Sequence, residues 1–158
     1  MSTATSANLR TTAAWVGAAA VIGSLASGPG GQWYRRLDKP AFQPPPVVFP
    51  IAWTLLYADI AATTALALDH TPDPAERRAT RRALAANLVL NAGWTWLFFR
   101  AHRLGAATAG AAALTASGAD LTRRVAAAHP RGRLLAPYPA WCAFATVLSA
   151  SIWRRNRH

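Results

Sequence analysis

The chain has 158 residues, of which 53% are hydrophobic and only 15% charged, against about 25% charged in an ordinary soluble domain. Seven Trp and long apolar stretches exclude a disordered chain, and a single cysteine, Cys142, excludes a disulfide scaffold. The length fits one domain, and a net charge of +11, from 16 Arg and one Lys against six acids, invites a nucleic-acid reading because basic proteins release counterions from phosphates.

The placement of the charges argues against nucleic acid. Residues 11–34, 40–58, 83–99, 104–119 and 134–153 contain no Asp, Glu, Lys or Arg, giving windows of 24, 19, 17, 16 and 20 residues. Crossing the hydrocarbon core of a bilayer takes about 20 mostly apolar residues. The arginines gather between the windows, at Arg77–Arg82, Arg100–Arg103, Arg123–Arg133 and Arg154–Arg157, where interfaces and anionic headgroups favour them. The pattern predicts an all-α membrane protein: a single domain of five transmembrane helices over 11–28, 47–69, 81–100, 104–125 and 134–154, with a Pro- and aromatic-rich loop over 29–46. The 17- and 16-residue windows reach spanning length only if flanking arginines snorkel. The rival is a soluble, Ala-rich helical bundle with basic, DNA-binding loops. It conflicts with whole windows free of charge, since a soluble helix carries charges on its outer face every few residues.

In chain order, the first window admits a second reading. Arg10, the apolar run Ala13–Leu25 and the small residues Ala26-Ser27-Gly28 fit a secretory signal, although a single arginine is a thin basic region. Next, Gly28-Pro29-Gly30-Gly31 and Pro44-Pro45-Pro46 break the helix on both sides of an irregular loop, which carries Trp33, Tyr34 and Phe42 as interfacial aromatics. Pro50 fits the first turn of the following helix, where its missing N–H is not needed. A Pro-rich stretch alone also suits SH3-type ligands, but not between two membrane flanks.

Three later segments put informative residues on single helix faces. Trp53 and Tyr57 are four apart. Asn87, Asn91 and Trp94 step by four and three, and Trp141, Phe144-Ala145 and Leu148 do likewise in the last window. Asparagine in a membrane is costly without a partner, so Asn87 and Asn91 should point inward. Two readings fit: an aromatic cavity with a few polar handles for a flat, largely apolar ligand, or ordinary packing, with Trp at helix interfaces and Asn as interhelical glue.

The string Trp33-Tyr34-x-x-Leu37-x-Lys39-Pro40-x-Phe42-x-Pro44-Pro45 resembles the first loop of the TspO/MBR family, the tryptophan-rich sensory proteins related to the mitochondrial translocator protein (peripheral benzodiazepine receptor). Phe49-x-x-x-Trp53-x-x-x-Tyr57, Asn87-x-x-x-Asn91-x-x-Trp94-x-x-x-Phe98-Phe99, Pro137-Tyr138-x-x-Trp141-x-x-Phe144-Ala145-Thr146-x-Leu148 and Trp153-x-x-Asn156 continue the resemblance in the family's order. The resemblance implies a five-helix bundle that binds porphyrins, protoporphyrin IX or a haem-like tetrapyrrole, and synthetic isoquinolines and benzodiazepines, with the first loop as a lid. Carried over, the ligand-binding positions are Tyr34, Trp53, Asn91, Trp94, Trp141 and Ala145, joined by Asn87 from the helix-face reading. Arg35 or Arg36 at the mouth could pair with propionates, which is a reading of charge and not a family motif. The expected role is a receptor or transporter acting as sensor or regulator in tetrapyrrole or stress handling. The alternative is light-driven oxidative breakdown of bound porphyrin, with Trp94 or Trp141 as electron donors. The family's sterol motif is broken, with Ala150 where tyrosine is expected and Ser149 where many relatives have Asn, so sterol binding is not inherited.

The remaining features are quieter. Asp59 lies mid-span and off the Trp53–Tyr57 face, as a functional acid or as a shielded seam residue. Asp120 has Arg123 and Arg124 at i+3 and i+4, the spacing of a local ion pair. His70, His102, His129 and His158 read as solvated loop residues. No metal-ligand spacing, nucleophile–base pair or phosphate loop is present, so no catalytic or metal residue and no bound cofactor is expected. Basic residues divide nine (Arg10 and the 77–82 and 123–133 clusters) against eight (Arg35, Arg36, Lys39, Arg100, Arg103 and the three terminal arginines), a balance that sets no orientation. Gly105, Ala109 and Ala113, with Ala106 and Gly110, favour close helix packing within the bundle or in a homodimer. The Ala/Arg-rich composition suggests GC-rich coding and a bacterial cell membrane.

Overall fold

The computed structural model describes the backbone of residues 3–27 and 31–157, and side chains over 7–26 and 31–157. The helix break expected at Gly28-Pro29-Gly30 and the terminal His158 lie outside the described residues. Among those residues every regular element is helical: α1 (Thr3–Ser27), the short α2 (Gln32–Arg36), α3 (Val48–His70), α4 (Pro74–Thr95), α5 (Leu104–Ala128) and α6 (Pro137–Arg155). A π turn (Trp96–Arg100) extends α4, and a 3₁₀ segment (Pro130–Leu135) precedes α6.

The five long helices alternate in direction, so the bundle has two ends. The loop over 31–47, the α4–α5 connection and the end of α6 share the lid end; the start of α1, the α3–α4 turn and the 3₁₀ segment share the far end. α1 packs against α3 and α4, α5 packs against α4 and α6, and α3 meets α6 only sparingly. At the far end α1 is stitched to its neighbours by polar bonds. The Thr12 hydroxyl donates to the Ala61 carbonyl (2.9 Å), Asn8 Nδ2 donates to Asp69 Oδ1 (2.7 Å) and Arg81 Nη2 donates to Asn8 Oδ1 (3.2 Å). Gly132 lies so close under α5 that a Cβ there would run into the Val125 carbonyl and the Ala126 nitrogen.

Local sequence explains the boundaries, including those the charge pattern misplaced. The helix expected from residue 81 starts at Pro74, because Asp73 caps it, accepting from the N–H groups of Ala75 (3.0 Å) and Glu76 (3.3 Å) ahead of a proline at the first helical position. The arginines of this stretch therefore ride on the first turns of α4. The loop expected to be irregular contains α2, one turn and a half of helix that carries Trp33 and Tyr34. Pro50 sits in the first turn of α3, and Pro137 opens α6.

Three stretches, Ala7–Ala26, Val48–His70 and Pro130–Arg155, are long and apolar enough to cross a membrane. The other two long helices fall short for visible reasons. α4 carries Glu76, Arg77, Arg78, Arg81 and Arg82 at its start, and α5 is mostly Ala, Gly and Thr with Asp120, Arg123 and Arg124 near its end. The outer surface is apolar: Val21, Leu25, Ile51, Leu55, Val89 and Val147 are each exposed by 57% or more. That is costly in water and ordinary in lipid. The interior has two clusters. One, around Ile60, Leu84, Leu121 and Tyr138, reaches the far end; the other, around Phe98, Ala107, Leu148 and Ile152, takes in Trp33, Tyr34 and Leu37 of the lid.

Candidate functional site

The site forms where the two clusters meet, and α4 supplies its polar groups. Asn87 and Asn91 are 0% and 1% exposed, so both point inward as their spacing requires. Asn87 is fully engaged: its Oδ1 accepts from the Tyr138 hydroxyl (2.7 Å) and its Nδ2 donates to Ser117 Oγ (3.2 Å), tying α4 to α6 and α5. Asn91 is half engaged. Its Oδ1 accepts from the Tyr57 hydroxyl (2.8 Å) on α3, while its Nδ2 is buried with no partner among the described residues. The indole N–H groups of Trp94 and Trp141 are likewise buried without partners.

These donors lie among aromatic rings. Trp53 is 6.1 Å from Trp94 and 5.5 Å from Tyr57, and Trp94 is 6.2 Å from Phe98 between ring centroids. Phe49 stands edge-on to Trp141 at 6.0 Å, bridging α3 and α6 where the two helices are least in contact. The π turn sets Phe98 inward, with the Ala101 N–H reaching back five residues to the Trp96 carbonyl (2.8 Å). The lid closes on this cluster, Trp33 and Tyr34 meeting Phe98 at 6.0 and 6.1 Å. Burial raises the Tyr34 phenol above its ordinary pKa, with Gln43 opposing in part, so its hydroxyl stays a neutral donor.

Of the expected site residues, Tyr34, Trp53, Asn91, Trp94 and Trp141 come together in this cluster. Asn87 belongs to the packing network one turn below, and Ala145 lies half-buried one turn beyond Trp141 on α6. Arg35 and Arg36 are exposed on α2, and Lys39 Nζ sits 4.9 Å over the Tyr34 ring. Asp59 is half-buried on α3; its carboxyl has no protein partner among the described residues, and its backbone carbonyl accepts from Thr63 (2.7 Å). Asp120 makes the ion pairs its spacing suggests, with Arg123 (2.5 Å) and Arg124 (2.6 Å).

Sequence reasoning missed Tyr138, Ser117, Phe98 and the lid's anchors as parts of one assembly. Tyr138 and Phe98 stand in the quoted motifs, so a signal for them existed; Ser117 carries none. The histidines are also less idle than expected. His70 ends α3 and its ring lies 4.4 Å from that of His129. His102 stacks on Trp33 (3.9 Å, 15°) from a left-handed backbone conformation, φ 54°. Among the described residues no three potential ligands are grouped to hold a metal.

The arrangement offers N–H donors in an aromatic setting. That suits a flat apolar molecule bearing acceptors. The TspO/MBR family profile matches residues 11–154. The chain belongs to the TspO/MBR family. It is 32% identical over 131 residues to the translocator protein of Homo sapiens, covering 82% of this chain and 78% of that one. It is 32% identical over 143 residues to the tryptophan-rich sensory protein of Cereibacter sphaeroides, covering 89% and 85%. It is 31% identical over 132 residues to protein CrtK of Rhodobacter capsulatus, covering 80% and 79%. Membership explains the apolar exterior: TspO/MBR proteins are membrane proteins, and this one is a helical membrane protein in which Trp33, Trp53, Trp94 and Trp141 pack half-buried against the core.

Proposed function

We propose that this TspO/MBR chain crosses the membrane five times and binds a porphyrin, protoporphyrin IX or a haem-like tetrapyrrole, acting as a receptor or transporter-like sensor in tetrapyrrole or stress handling. The observation that carries the reading is the set of three buried N–H groups without a partner among the described residues, Asn91 Nδ2, Trp94 Nε1 and Trp141 Nε1, set among tilted and edge-on aromatic rings. A buried donor without an acceptor costs about 1–3 kcal/mol, so a ligand bearing acceptors recovers that energy on binding. Macrocycle ring nitrogens or carboxylates are such acceptors, and the rings supply the flat walls. The names translocator and tryptophan-rich sensory protein carried by relatives point the same way. The setting is a bacterial cell membrane, with a homodimer as the assembled form.

A second reading is light-driven oxidative breakdown of the bound porphyrin, with Trp94 or Trp141 as electron donors; the Trp53 ring 6.1 Å from Trp94 supports it by adding a neighbouring indole. A titration with protoporphyrin IX in the dark tests the first. Detergent-purified protein should show saturable quenching of Trp emission that weakens in the Trp94→Phe/Trp141→Phe double variant. Linear quenching, identical in both, would mean partition into the micelle and would sink the site. Repeating the incubation under light separates the two readings: loss of porphyrin absorbance faster than in the double variant indicates turnover.

A further inference from the structure

A groove of about 600 Å³ opens at the lid end, outside the aromatic site. Its walls are His102, Arg103, Gly105 and Ala106 on one side, and Trp153 and Asn156 at the end of α6 on the other. Gly105 brings α5 against the indole, since a Cβ there would stand 3.1 Å from the Trp153 ring, and the Arg157 guanidinium lies 4.0 Å over the same ring. Among the described residues neither Arg103 nor Arg157 has an acidic partner. The ion pairs among the described residues are those of Asp120 with Arg123 and Arg124, and of Asp38 with Arg155.

The charge around the groove is one-sided. The lid end gathers the eight basic residues named above against one acid, Asp38, already paired. The nine basic residues of the far end face Asp69, Asp73, Glu76 and Asp120. The groove also sits where the apolar stretch Pro130–Arg155 ends, which in a bilayer is the level of the headgroups. Two unpaired guanidiniums, an indole wall and an amide at that depth match a phosphate carried on acyl chains. We infer that this groove holds the headgroup of an anionic phospholipid, its phosphate between Arg103 and Arg157 and its glycerol along Trp153.

Two wall residues are also the lid's anchors. Asn156 accepts from the Asp38 N–H (3.0 Å) and donates to the Asp38 carbonyl (2.9 Å), and Trp33 stacks on His102 (3.9 Å). A headgroup in the groove therefore braces the residues that hold the lid down. This holds whether or not the aromatic site takes a porphyrin.

The test uses the full chain in detergent, with native mass spectrometry comparing phosphatidylglycerol and phosphatidylcholine of equal chain length. Wild type should retain phosphatidylglycerol at least about tenfold more tightly. Arg103→Gln/Arg157→Gln should lose that preference, and so should Ala106→Trp, which fills the groove without changing charge. Arg77→Gln/Arg78→Gln, the same charge loss at the far end, should keep it. Equal retention of both lipids, preference surviving in the groove variants, or equal loss in the far-end variant overturns the site. Displacement by millimolar inorganic phosphate overturns the lipid assignment in favour of a free anion. Amide exchange over residues 37–39 should slow when phosphatidylglycerol binds wild type; unchanged exchange overturns the link to the lid.

Discussion

Asn87 and Asn91 sit one helical turn apart on the same face of α4, both buried, and their bonding differs completely. Asn87 joins three helices and has both functional groups engaged, whereas Asn91 satisfies Tyr57 and leaves its own N–H donors unmet. The contrast extends to the two halves of the bundle. The far half is closed by backbone-close packing at Gly132 and by the Asp69–Asn8–Arg81 and Thr12–Ala61 bonds. The lid half is held by ring contacts and the Asn156–Asp38 bonds, and its unpartnered N–H groups lie among aromatic rings, whereas the unpartnered groups of the far half, Arg81 Nε and the Thr64 hydroxyl, do not. A satisfied packing asparagine and one with an unmet donor, the group proposed above as a ligand handle, occupy successive turns of one helix.

The largest expected effect tests that division through two glycines. Gly132→Ala drives a Cβ into backbone atoms of Val125 and Ala126, which have no side-chain freedom to yield, and should cost about 3 kcal/mol or more. Gly105→Ala at the lid end meets only the edge of the Trp153 ring at 3.1 Å, which can swing, and should cost less than about 1 kcal/mol. Thermal unfolding of both variants in one detergent makes the comparison. Equal losses would erase the difference between the halves.

The asparagines give the next effect and should split stability from binding. Asn87→Leu strands the Tyr138 hydroxyl and the Ser117 side chain, so a loss of about 2 kcal/mol is expected with porphyrin affinity kept. Asn91→Leu strands only the half-buried Tyr57 hydroxyl, costing about 1 kcal/mol, but should weaken porphyrin binding about tenfold, the worth of one hydrogen bond. Both quantities come from one preparation, by unfolding and by Trp quenching. A variant pair in which affinity and stability fall together would show that the two turns act as one packing network.

The family and the inward faces were legible in the residues because both rest on local pattern: charge-free windows, and Trp and Asn at helical spacing. What the pattern hides depends on distance in the chain. Asn87 finds Tyr138 and Ser117 at separations of 51 and 30 residues, and nothing near Asn91 announces that it finds only one partner. The lid anchor joins Asp38 to Asn156 across 118 residues. The π turn at Trp96–Arg100 has no Gly or Pro to mark it, and it is what carries Phe98 into the site. The start of α4 is a different case. Asp73-Pro74-x-Glu76 is a plain capping signal, overlooked because the arginines that follow read as an interfacial loop.

The smallest expected effect separates two explanations of how the lid is held. Asn156→Ala removes two bonds to the Asp38 backbone, about 1 kcal/mol in total at an exposed position, which should raise the opened fraction of the lid about fivefold. Asp38→Asn keeps those backbone bonds and removes only the 3.5 Å contact with Arg155, an exposed pair worth less than about 0.5 kcal/mol. Hydrogen exchange at residues 37–39 should therefore quicken in the first variant and barely change in the second. Added salt should leave wild type nearly unaffected, because an amide latch is not screened as an ion pair is. Should Asp38→Asn open the lid as far as Asn156→Ala, with wild type loosening in salt, the latch is electrostatic, and the lid belongs with the charged surface around it more than with the aromatic site beneath it.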